Sequence, residues 1–94
     1  MVGELIKSVY KYKDVKLSTS EAKVNAYEVS VQDGKVVNIP NADVSIEGHN
    51  FNFSIYTTGL NGKKTYNLNS VPEGVDGQAI VKEFVTFVES DIIS

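Results

Sequence analysis

The sequence predicts a single α+β domain over residues 1–94, an antiparallel β-meander of about five strands packed against a C-terminal α-helix. Three observations predict it. Turn-forming groups recur through the middle of the chain, at Asp33-Gly34, around Pro40, at 47–50 and at Asn61-Gly62. The segments between them are rich in Val, Ile, Tyr, Phe and Thr and alternate with period two, as half-buried strands do. After Leu68 the apolar spacing changes to the helical period.

The first seventeen residues admit two readings. Val2, Leu5, Ile6, Val9 and Tyr12 have the spacing of a short amphipathic helix, whereas "VYKYKDVKL" fits an edge strand protected by lysines. The expectation taken is a short helix leading into a strand.

Each hairpin can be given a register by asking which loop keeps like faces together, because a slip of one residue moves every side chain to the opposite face. At Asp33-Gly34 a plain two-residue turn sets Val29 against Asn38, so a three-residue bulged loop, Gln32-Asp33-Gly34, is expected instead. It pairs Val29 with Val37 and Tyr27 with Ile39. A four-residue loop from Glu47 to Asn50 pairs Ile46 with Phe51 and Val44 with Phe53, and leaves His49 in a turn. A two-residue turn at Asn61-Gly62 pairs Ile55 with Leu68, Thr57 with Tyr66, Tyr56 with Asn67 and Ser54 with Asn69. In the stretch "FNFSIYTT", Phe51, Phe53, Ile55 and Thr57 then face the core, and Asn52, Ser54, Tyr56 and Thr58 face away.

In "DGQAIVKEFVTFVESDII", Ile80, Val81, Phe84, Val85, Phe87, Val88 and Ile92 gather on one side at 100° per residue, opposite Lys82, Glu83, Thr86, Glu89 and Ser90. Asp76 is the expected N-cap, and with Glu73 it favours the positive end of the helix dipole. The wide apolar stripe places this helix on the sheet.

Composition excludes several functions. The chain of 94 residues is 41% apolar and 22% charged, an ordinary globular balance. A domain this small buries roughly 60–70% of its unfolded surface, which commits most of its apolar residues to the core. Without cysteine there is no disulfide, thiolate metal site or cysteine nucleophile. All nine basic residues are lysine, and the formal net charge is −3. Lacking the planar arginine fork and a positive balance, nucleic acid is not the expected main partner. No apolar run reaches the roughly 18–20 residues of a membrane span. The start has neither the apolar stretch nor the cleavage site of a signal peptide, so a cytoplasmic location is the default expectation.

Motifs are sparse. Asp43, Glu47 and His49 are three metal-ligating types within seven residues, but zinc needs matched ligands of convergent geometry, and no metal or cofactor is expected. With one histidine and neither GxSxG, GxGxxG nor a Walker lysine, there is no catalytic or phosphate-binding constellation, and no enzyme is expected. "NFS" at 52–54 matches a glycosylation sequon in the middle of a strand and is read as chance.

Two surfaces remain. The sheet face away from the helix is expected to carry Glu28, Ser30, Asp43 and Ser45 together with Asn52, Ser54, Tyr56, Asn67 and Asn69. The last five form the expected binding set, with Tyr56 as an aromatic anchor among adaptable hydrogen-bonding groups. The alternative set is Tyr10, Lys11, Tyr12 and Lys13, whose mixture of lysine and tyrosine suits stacking on single-stranded nucleic acid. Charge is also uneven: residues 1–16 hold four lysines against Glu4 and Asp14, whereas residues 71–94 hold Lys82 against Glu73, Asp76, Glu83, Glu89 and Asp91. Such ends can attract one another within one fold or between subunits.

The expected function is that of a non-enzymatic protein-interaction module, self-associating into a homo-oligomer or acting as an accessory subunit of a larger assembly. The alternative is a domain that binds a small ligand or single-stranded nucleic acid.

Overall fold

A computed structural model describes residues 3–6, 9–58 and 63–93. Six strands, β1 (Glu4–Ile6), β2 (Val9–Lys16), β3 (Lys23–Gln32), β4 (Lys35–Ile46), β5 (His49–Thr58) and β6 (Lys63–Asn69), form one antiparallel sheet in chain order. One helix, α1 (Gly77–Asp91), packs on one face of it. The α+β meander is as expected, with one strand more.

That extra strand comes from the N-terminus. Where a short helix was expected, Ile6 pairs with Val9 and Glu4 with Lys11, so β1 and β2 make a hairpin. Residues 4–12 satisfy a helical spacing as well as a strand. The open edge of β3 decides, because β2 completes its ladder through Tyr10 opposite Val29 and Val15 opposite Val24. Val2 of the expected helix lies outside the described residues.

The hairpin registers also differ from expectation. Asp33-Gly34 is a two-residue turn, since Gln32 pairs with Lys35 and Val31 with Val36. Both central residues have left-handed φ, 53° and 77°, the requirement of the hairpin turn whose twist matches the strands. The bulge lies one step further on, where Ser30 pairs with Asn38 and Val37 is the extra residue. The carbonyl of Val37 accepts a 2.6 Å hydrogen bond from Thr57 Oγ1. Val36, not Val37, is therefore buried, and Tyr27 lies outside the core at 47% exposure.

Glu47-Gly48 is a second turn of this kind, with φ of 49° and 80°. The ladder continues to Ile46 opposite His49, and Val44 pairs with Phe51, not Phe53. Between β5 and β6 the pairs are Ile55 with Tyr66, Ser54 with Asn67 and Thr57 with Lys64. Both shifts are of two residues, so each side chain keeps the face expected of it. The Asn61-Gly62 turn lies outside the described residues.

Three central strands carry bulges that alternation alone does not reveal. Lys13-Asp14 on β2 and Tyr27-Glu28 on β3 each interrupt the β2–β3 register, and Pro40-Asn41 on β4 interrupts the β4–β5 register. Proline suits a bulge because the ladder there asks no N–H of it. Asp14 has a positive φ of 51°, and its N–H donates to Asn25 Oδ1 at 2.8 Å. Each bulge adds one residue, so core positions step by three, from Tyr12 to Val15, Ala26 to Val29 and Ile39 to Ala42. Bulges also bend a strand and increase its local twist.

The helix begins as expected: the Asp76 side chain accepts from the Ala79 N–H at 3.1 Å. Ile80, Val81, Phe84, Val85 and Val88 are buried, and Phe87 and Ile92 pack at the margin. At the centre of the core the Phe84 ring meets Tyr12 and Phe53 edge to face, at 5.8 and 6.1 Å between centroids.

Candidate functional site

Strands β5 and β6 bring the expected binding set together. On the sheet face opposite α1, Asn52 pairs with Asn69, Ser54 with Asn67 and Tyr56 with Thr65. Tyr56 is 40% exposed and Asn67 and Asn69 are open, whereas Asn52 and Ser54 are half-buried. The row through Asn52 runs across four strands, Asn25, Asp43, Asn52 and Asn69. Beside it Asp43, Asn50, Phe51, Asn52 and Ser70 line a depression of about 440 Å³. Ser45 Oγ and Asn50 Oδ1 hydrogen-bond at its margin, 2.7 Å apart. Asn52 Oδ1 is buried without a hydrogen-bond partner, alone in this among side-chain atoms of the described residues. An amide oxygen left so costs roughly 1–3 kcal/mol.

The alternative set is divided by the sheet. Tyr12 is fully buried under α1 and Tyr10 packs at the core margin, while Lys11 and Lys13 lie on the other face. Tyr12 is therefore removed from any stacking surface, a correction that follows from strand alternation. The Lys11 ammonium instead lies 5.4 Å from the centroid of the Tyr27 ring, a cation–π arrangement at an open site.

Asp43, Glu47 and His49 do not converge. Asp43 is in the outer row with Asn25 and Asn52, Glu47 is in the turn, and exposed His49 opposes Ile46, whose row belongs to the helix side. Among the described residues no group of three or more His, Cys, Asp or Glu side chains has an arrangement fit for a metal ion. No helix among them is long and apolar enough to cross a membrane.

The acidic residues of α1 have a role their sequence does not announce. Glu83 accepts from the Thr19 and Ser20 N–H groups at 2.7 and 3.1 Å, Glu89 accepts from the Val36 N–H at 2.9 Å, and Asp91 accepts from the Gly3 N–H at 2.9 Å. The helix thus clamps the β2–β3 loop, the β3–β4 hairpin and the start of β1. Burial alone would raise the Glu83 carboxyl, but hydrogen bonds from Thr19 and Ser20 outweigh it and hold the group below its ordinary value. Lys64 and Glu89 form an ion pair at 3.7 Å. The acidic side chains of the helix meet backbone amides at three places in the sheet and its loops. Asp91 was legible as an anomaly: seven residues after Phe84, it shares that residue's helical azimuth and falls on the apolar stripe.

Sequence reasoning did not anticipate the groove beside α1. It is about 1150 Å³ and runs between the helix, the 17–20 loop and the 46–47 turn. Its parts come from four separate segments, so no local pattern marks it.

Comparison with known proteins finds no family model, no curated protein and no solved structure that matches this chain.

Proposed function

We propose that this protein is a non-enzymatic interaction module that engages a protein partner, or a second copy of itself, through the sheet face opposite α1. The observation that carries the reading is the contiguous patch of Asn52, Ser54, Tyr56, Asn67 and Asn69 on β5 and β6, in which Tyr56, Asn67 and Asn69 are exposed. Tyr56 supplies a stiff aromatic anchor with a polar tip, and the amides and hydroxyl around it supply hydrogen bonds that adapt to a partner. The patch is neutral, so its affinity depends little on salt.

Light scattering after size exclusion, at low and at high salt, tests self-association directly. A dimer that persists in high salt and is lost in Tyr56→Ala supports the patch as the interface. If the protein is monomeric, affinity capture with the intact protein and with Tyr56→Ala follows. Partners retained equally by both would sink the sheet-face reading, and salt-sensitive binding of a single-stranded oligonucleotide would favour the alternative instead.

A further inference from the structure

We propose that the groove along α1 is a second docking site, which takes a lysine- or arginine-bearing amphipathic helix from a partner protein. The inference is independent of the sheet-face reading, because the groove lies on the helix side of the sheet.

Its size is the first argument. At about 1150 Å³ it exceeds the roughly 300–1,000 Å³ of cavities that enclose a small ligand, and it is open rather than closed. Along α1 it extends from Ala79 to Ser90, about 16 Å at the helical rise, or three turns. An elongated occupant fits that shape.

Its chemistry is the second. The partly buried apolar groups Ile46, Val75 and Phe87 give the floor places for apolar side chains, and all three pack against the core. The rim holds Glu47, Asp76 and Glu83 against the single cation Lys82. A cleft rimmed by one sign of charge concentrates its field and selects the opposite sign. Apolar floor with acidic rim is complementary to an amphipathic helix that carries its apolar residues on one stripe and basic residues at the borders. Short side chains at Ala79 and Thr86 allow that helix to approach α1 closely.

The test is an amide NMR titration of the intact protein with a synthetic lysine–leucine amphipathic helical peptide, and with the same peptide carrying glutamate in place of lysine. The lysine peptide is expected to shift residues 17–20, 46–47 and 79–90, and the glutamate peptide to leave them unmoved. Thr86→Trp, which fills the groove from an exposed helix position, and Glu47→Lys, which reverses the rim charge in a solvated turn, should each weaken binding at least tenfold. Tyr56→Ala should not change it. Shifts confined to the opposite sheet face, affinity indifferent to both groove variants, or no binding at millimolar peptide would each overturn the proposal. Concentration-dependent shifts of the groove residues without peptide would overturn it too, naming a second copy of this chain as occupant.

Discussion

The Tyr12 hydroxyl donates a 2.8 Å hydrogen bond to Asp91 Oδ2, joining β2 to the last turn of α1 across 79 residues of sequence. The same oxygen accepts from the Gly3 N–H at 2.9 Å, so one carboxylate holds the N-terminal strand, its neighbour and the helix. The fit is close: a Cβ on Gly3 would stand 2.6 Å from the Tyr12 hydroxyl and nearer still to its ring.

Tyr12→Phe keeps the ring packing and removes one donor from a buried carboxylate, which should cost about 1–3 kcal/mol. Burial raises the Tyr12 phenol above its ordinary value, helped by the hydrogen bond and charge of Asp91. The tyrosine of the unfolded chain therefore ionises first. Stability from this group is complete below about pH 10 and falls as pH rises beyond it, by about 1.4 kcal/mol per pH unit for one proton. Urea unfolding between pH 8 and 11 should show that slope, with Tyr12→Phe flatter by one proton.

Glu83 acts at the other end of the scale. With its folded-state value depressed, its contribution is present above the unfolded value near about 4.3 and is lost as pH falls through the folded one. Glu83→Gln is expected to be less stable than the parent at neutral pH and to lose less on acidification. Denaturant midpoints at pH 7 and pH 3 measure both, and parallel losses in parent and variant would refute the assignment.

Glu47 has a φ of 49° in a position that asparagine adopts more readily. Glu47→Asn should raise stability by about 0.5–1 kcal/mol with the fold unchanged. A higher urea midpoint at the same slope is the expected result.

Phe84 is fully buried between Tyr12 and Phe53. Phe84→Ala should cost about 3–5 kcal/mol, a large part of the roughly 5–14 kcal/mol expected for a chain of this length. Thr86→Ala, two residues on and exposed, should remain within about 0.5 kcal/mol of the parent in the same thermal or urea unfolding.

Much of this architecture is written locally. The stripe from Ile80 to Val88 and the Asp76 cap depend on neighbours within one or two helical turns, and both are found where periodicity puts them. The facing of Phe51, Phe53 and Ile55 against Asn52, Ser54 and Tyr56 depends only on strand alternation, so it survived a register two residues away from the one expected. The members of the sheet-face patch were legible for the same reason.

Other features required partners distant in sequence. The bulges at Lys13-Asp14, Tyr27-Glu28 and Pro40-Asn41 are relations between strands, and each changes the phase of everything beyond it. Thus Tyr27, with a core position by alternation, is outside, while Tyr12, offered to solvent by its lysine neighbours, is buried. The N-terminal segment is a hairpin because β3 presents an open edge, and the groove exists because three other segments, 17–20, 46–47 and 74–76, meet one side of α1. Sequence by itself determined the elements and the faces of the regular ones, since side-chain period is a local property. Only tertiary structure decided the phase after each bulge, the place of Tyr12 and Asp91, and the groove, because backbone pairing and close packing are satisfied between segments rather than within them.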